Sequence, residues 1–422
     1  MAYIEMDLIK EKKYSSTVFL IIIMMSFHAI VRVATGTYVI RQYSNTVYFQ
    51  IGGNTIATYA LYLASILAIV YGFLYCYRME GRFPTYLLSI LFCCMIATTW
   101  VVNDIFEHSL SEILREQGVS PFTFFLMFST YIGTNNRAWK TVVYMSTLLS
   151  ELFLSLAFIY SLKFAFIYGG LTISQSPQIM CLSNGFWPLV ICCLCKEGHS
   201  KFEKKALYLQ ILVALICSLI YGSRGWIIQS LLLLFLFISK NSDDKKRKVK
   251  KLLTVFGAII IIIAIFVFVS HYFPERTLYL VNKLSTGLSS REWQYNDLLT
   301  QYSLSDLLIG KGTFATYNTT VYGEYKYFDN TFINFMFRYG VINAISLFMF
   351  IAVPIIKLLK EKQKAYYYYA MALFLWLIGL CGVSVYNVMG IDLKSTLMFI
   401  VIGRALTMCY SKPMKSSTIV NS

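Results

Sequence analysis

The strongest constraint on this chain is a series of apolar stretches, each about as long as a bilayer is thick. A helix needs about 20 mostly apolar residues to cross the hydrocarbon core. Reading for such stretches finds twelve, near 15–34, 54–76, 84–102, 121–134, 141–162, 179–195, 206–221, 224–239, 252–271, 330–356, 366–387 and 395–411. The fourth, seventh and eighth are short for a crossing. Only 14% of the 422 residues are charged, against about 25% in soluble domains. No stretch reads as a soluble domain and no internal repeat is visible. The expected fold is all-α: one integral-membrane domain over 1–422 with about 12 transmembrane helices. Met1–Lys13 is charged and lacks a small-residue cleavage site, so the first helix reads as a signal anchor.

The net charge of +16 follows the topology. With alternating crossings, segments 10–13, 78–82, 137–140, 196–205, 240–251, 357–364 and 412–415 fall on one side and hold 24 of the 37 basic residues. Loops rich in Lys and Arg stay in the cytoplasm. Both termini are therefore expected inside, with the long polar stretch 272–329 outside. The run Lys240–Lys251 reads as a cytoplasmic loop against anionic lipid, with no nucleic-acid partner. The ten cysteines lie mostly in apolar runs and read as small apolar residues rather than metal ligands. Tyr366–Tyr369 resembles an interfacial aromatic belt.

Ionisable groups inside a bilayer cost about 2.5–3.5 kcal/mol each at the helix centre. Glu151 and Arg338 both fall near mid-depth and are expected to pair. His28, Arg32 and Arg404 suggest no role.

Three polar interruptions carry the candidate chemistry. Gly222-Ser223-Arg224-Gly225 breaks two apolar runs at the outer face. A helix starts there, and its first N–H groups with the Arg224 fork suit a phosphate. Ser289-Ser290-Arg291-Glu292 has the form of a capping box, predicting a helix over about 290–302. Its Trp293, Leu298, Leu299 and Tyr302 suggest that it lies on the membrane surface. Gly310-Lys311-Gly312 then offers a turn where backbone can approach a ligand. Asp329 and Asn330 open the tenth apolar run as helix-capping residues. Gly340, eleven residues beyond Asp329, would share its face on one continuous helix and clear space there.

This ordered set resembles the bacterial O-antigen and capsular polysaccharide polymerase/O-antigen ligase superfamily. The resemblance implies a GT-C-like membrane glycosyltransferase whose 272–329 loop, carrying short helices, covers the active site. It implies undecaprenyl-diphosphate-linked oligosaccharide as substrate, no cofactor and no metal. Membrane lipids and a chain-length regulator protein are the further partners it implies. Arg224 and Arg291 would then stabilise the diphosphate leaving group, with Asp329 as base; Ser223, Trp293, Gly310, Gly312, Asn330 and Gly340 would line the substrate. Ligases of this superfamily typically carry histidine where this chain has Asp329, which favours a polymerase. An O-antigen ligase, a cell-wall polymerase and a lipid-linked oligosaccharide flippase are the rival readings.

Overall fold

The structure is a computed structural model. It describes the chain except residues 1, 42–45, 79–83, 116–119, 168–171, 175–176, 242–266, 268–269, 272–288, 320–322, 327, 362, 384–388 and 411–422. The first half holds α1 (Ala2–Ala34), β1 (Thr37–Arg41), β2 (Thr46–Gln50), α2 (Thr55–Arg78), α3 (Pro84–Ile105), α4 (Leu110–Arg115) and a 3-10 helix (Pro121–Thr134). Next come α5 (Asn136–Ile167), β3 (Thr172–Ser174), α6 (Pro177–Val190) with a π-turn (Ile191–Cys195), α7 (Lys201–Tyr221) and α8 (Arg224–Lys240). The described chain resumes with α9 (Ser289–Gln301), α10 (Leu304–Ile309), β4 (Tyr317–Thr319), β5 (Gly323–Tyr325), α11 (Thr331–Tyr339) and α12 (Val341–Lys360). It closes with α13 (Lys364–Ile378), a second π-turn (Gly379–Val383) and α14 (Leu393–Tyr410).

The protein is mostly helical, and among the described residues nine helices are long and apolar enough to cross a membrane. The other expected crossings have identifiable reasons for falling outside that number. Most of the run 252–271 lies outside the described residues. Helix α8 has 17 residues, about 25 Å at 1.5 Å per residue. The fourth run is the 3-10 helix, whose 14 residues rise about 2.0 Å each and reach about 28 Å, the length of a 19-residue α-helix. A 3-10 helix is also thinner, and its neighbours touch its backbone. A Cβ on Gly403 of α14 would lie 1.6 Å from the Thr130 carbonyl, and one on Gly72 of α2 would lie 2.1 Å from that of Phe128.

The strands are small additions to the expected all-α architecture. Strands β1 and β2 pair antiparallel, with β3 parallel beside β2. Alternating helix directions put this sheet at the end of the bundle that also carries α9–α11, called the cap end below. The cap has its own core of Leu298, Leu307, Tyr317, Phe328 and Phe337. Helix α9 appears where the sequence predicts it, with part of its apolar face turned into the cap. Leu298 is buried in the cap core, Tyr302 packs on Phe337, and Leu299 points outward.

Two further expectations change. The tenth apolar run is not one helix, because Gly340 (φ +87) breaks it into α11 and α12. Asp329 and Gly340 therefore do not share a continuous helical face. Tyr366–Tyr369 is also not a uniform belt. Tyr368 and Tyr369 are buried, and the Tyr369 hydroxyl donates to the Cys195 carbonyl at 2.9 Å. Of the basic residues in 240–251, only Lys240 is described. Its ammonium donates to the carbonyls of Cys193, Leu194 and Lys196, closing the end of the α6 π-turn.

Candidate functional site

The site is built from two helix starts and one π-turn at the cap end. Gly222 (φ +72) ends α7 in the left-handed region, and Ser223 N–H donates back to the Ser218 carbonyl. That geometry needs glycine and allows α8 to begin two residues later. Ser223 stands at the cap position of α8, but its side chain makes no capping hydrogen bond. Arg224 is half-buried on the first turn. Below it Trp226 is fully buried against Phe186 and Trp187, and Trp187 stacks on Trp376 at 4.6 Å. Gln229 donates to the Leu375 carbonyl, fixing α8 along α13. The start of α8 thus stands on a rigid aromatic block, and α8 packs on the π-turn Gly379–Val383.

The same π-turn receives Asp329 and Asn330. Asn330 Oδ1 accepts from the N–H groups of Phe332 and Ile333, and its Nδ2 donates to the Cys381 carbonyl at 3.1 Å. Thr331 Oγ1 accepts from Met389 N–H at 3.2 Å. A Cβ on Gly382 (φ +88) would lie 3.3 Å from the Asp329 and Asn330 backbone. Asp329, half-buried, immediately precedes this fixed cap. Asn330 is thereby occupied as a helix cap and tether.

The glycines of the cap bring backbone against backbone. A Cβ on Gly310 (φ +96) would lie 2.4 Å from the Arg338 carbonyl, and one on Gly340 would lie 2.4 Å from that of Leu308. Lys311 and Gly312 N–H groups cap the Phe337 and Arg338 carbonyls at 2.9 Å. The Gly-Lys-Gly turn therefore lies flat on the end of α11, and protein backbone fills the space that the missing Cβ atoms leave. On its other side Gly312 faces Trp100 and Asp104 of α3, and His108 packs on Phe314 at 3.8 Å.

Arg338 does not pair with Glu151. It is wholly buried, and its guanidinium donates to the carbonyls of Thr313 and Lys326 and to Asn334 Oδ1. Glu151 is exposed on α5. The loops 313 and 326 come to the arginine because Gly340 turns the chain away and exposes the end of α11 to them.

The cap core also arranges charges around Asp329. Tyr317 stacks on Phe328 at 4.5 Å and meets Phe337 edge-on at 5.9 Å. Leu298, Phe328 and Phe337 each adjoin a charged residue in sequence: Asp297, Asp329 and Arg338. Burial, then Tyr325, Asp297 and Asp329, hold the Tyr317 hydroxyl above its ordinary range, with Arg338 opposing. The sequence reading missed Tyr317 and Asp297, whose signal was only aromatic spacing in a polar loop. Arg291 and Trp293 lie on α9, two turns and less before Leu298, with side chains outside the described residues.

The fold defines a polytopic α-helical membrane protein with a folded polar cap. The chain matches no family model, no curated protein and no solved structure.

Proposed function

We propose that the protein is a membrane glycosyltransferase that polymerises undecaprenyl-diphosphate-linked repeat units of an O-antigen or capsular polysaccharide. The observation that carries this reading is the shared π-turn: α8, which opens at Arg224, and the Asp329–Asn330 cap both pack on Gly379–Val383. In this reading the cap end is extracytoplasmic and the basic ends of the helices face the cytoplasm. The order of Gly222–Gly225, Arg291–Trp293, Gly310–Gly312 and Asp329–Asn330 supports the same assignment.

An acceptor sugar hydroxyl attacks the anomeric carbon of the growing chain. The new glycosidic C–O bond forms as the bond to diphosphate breaks, with inversion. Asp329 takes the hydroxyl proton as general base. The polyprenyl diphosphate leaves with the bonding pair, and its charge develops beside Arg224, the N–H groups of α8's first turn, and Arg291. Ser223, whose side chain makes no capping bond, donates to a phosphate oxygen in this reading. Gly310 and Gly340 let backbone close on the end of α11, the helix that Asp329 precedes.

The test is polymer length in cells carrying Asp329→Asn, Arg224→Ala or Arg291→Ala at normal protein level. Collapse of the ladder to single repeat units is expected. Wild-type ladders in all three would end the assignment.

A further inference from the structure

Glu151 sits near the middle of α5, a 32-residue helix. It lies 11 residues from Lys140 and 12 from Lys163, the charged residues toward the two ends. The buried face of α5 packs against α6, α7 and α1. Glu151 is on the other face, with Tyr144 (60% exposed), Leu148 (43%), Leu152 (44%) and Ile159 (58%). Among the described residues it makes no hydrogen bond or ion pair. A carboxylate at this depth, surrounded by acyl chains, costs about 2.5–3.5 kcal/mol on the mildest scale. The apolar neighbours suit lipid or another helix equally well; the carboxylate suits only a partner that donates to it.

We propose that this stripe of α5 is the docking surface for a transmembrane helix of another protein, one carrying a lysine or arginine at mid-depth opposite Glu151. Charge complementarity sets that occupant. A second copy of the chain related by a two-fold axis along the membrane normal would set Glu151 against Glu151, like charge against like. The stripe also continues into a groove of ≈ 390 Å³ between α1 and α5, lined by Ser16, Phe19, Lys140, Thr141 and Tyr144. A partner helix following the stripe would place an apolar side chain there. The inference is independent of the glycosyltransferase reading, because the stripe shares no residue with the site described above.

The experiment uses the full chain in the membranes of its own cells, with a benzophenone amino acid at Leu152 and, as control, at Leu88, exposed on α3. Irradiation is expected to give one discrete protein adduct at 152 and none at 88. The cross-linked peptide, by mass spectrometry, should be a membrane segment with a basic residue. Glu151→Lys should reduce the adduct at least tenfold without lowering the protein level, and changing the partner's basic residue to glutamate should restore it. Adducts to lipid alone, to a second copy, or of undiminished yield in Glu151→Lys would each overturn the proposal.

Discussion

Arg338 shows why single residues in the cap were misread from sequence. A lone arginine in an apolar run invites a carboxylate partner across the bundle. The structure satisfies it locally, with two loop carbonyls and Asn334. Each hydrogen bond from a charged donor contributes about 1.5–3 kcal/mol, and orphaned buried acceptors add to the loss. Arg338→Ala should therefore destabilise the cap by about 3 kcal/mol or more, read as earlier proteolytic cleavage between α9 and α11; Arg338→Lys should recover part of it. Unchanged cleavage would contradict the anchoring role. Gly310→Ala should act on the same joint. It combines about 1–3 kcal/mol of backbone strain with a Cβ at 2.4 Å from the Arg338 carbonyl. Asp306 gives the joint a pH dependence. Its ion pair with Lys311 at 2.6 Å, then its bonds to Ser303, pull its carboxyl down to about 2. A depressed carboxyl stabilises the folded state above its ordinary value near 4, and that contribution is lost as pH falls from about 4 through 2. Amide exchange at Leu307 and Gly310 should accelerate over that window, and Asp306→Asn should exchange fast throughout.

At the scale of elements, hydropathy located most helices to within a few residues, because burial in lipid demands long apolar runs whatever their neighbours do. The expected 54–76 and 395–411 appear as Thr55–Tyr77 and Leu393–Tyr410. What composition cannot report is the backbone form within a run. The stretch 121–134 looked too short to cross; a 3-10 rise gives it the length. Gly72 and Gly403 mark where its neighbours come close, but a glycine in an apolar run has no unique meaning without the partner helix. Gly403→Val should push α14 off the Thr130 backbone and unfold the bundle at markedly lower temperature, while Gly53→Val, with nothing within 4 Å of its Cβ, should not. Equal melting of the two variants in detergent would show that the contact carries no stability. The break at Gly340 was hidden for a related reason. Apolar residues continue on both sides of it, and only the positive φ and the loop lying against it distinguish a joint from a helix.

At the scale of the whole molecule, the charge asymmetry and the site assignment make one claim: the π-turn beside Asp329 faces away from the cytoplasm. The candidate site was legible as separate motifs, since Gly222–Arg224 and Asp329–Asn330 each punctuate an apolar run. Their shared support was not, because Gly379–Val383 reads as the unremarked end of another helix. One native side chain reports on both points. Among the described cysteines Cys381 alone is exposed; Cys76 and Cys409 are half-buried and the others buried. Its carbonyl holds Asn330 and its chain neighbour Gly382 touches the Asp329 backbone. A membrane-impermeant maleimide added to intact cells, with the outer envelope permeabilised where there is one, should label the protein at a single site, and Cys381→Ser should abolish that label. Lipid-linked repeat units that accumulate when their transfer is blocked should slow the reaction, because the substrate then covers the π-turn. Labelling that requires rupture of the cytoplasmic membrane would put the π-turn on the inner face. Arg224 and Asp329 would then be on the wrong side to meet an extracytoplasmic glycan.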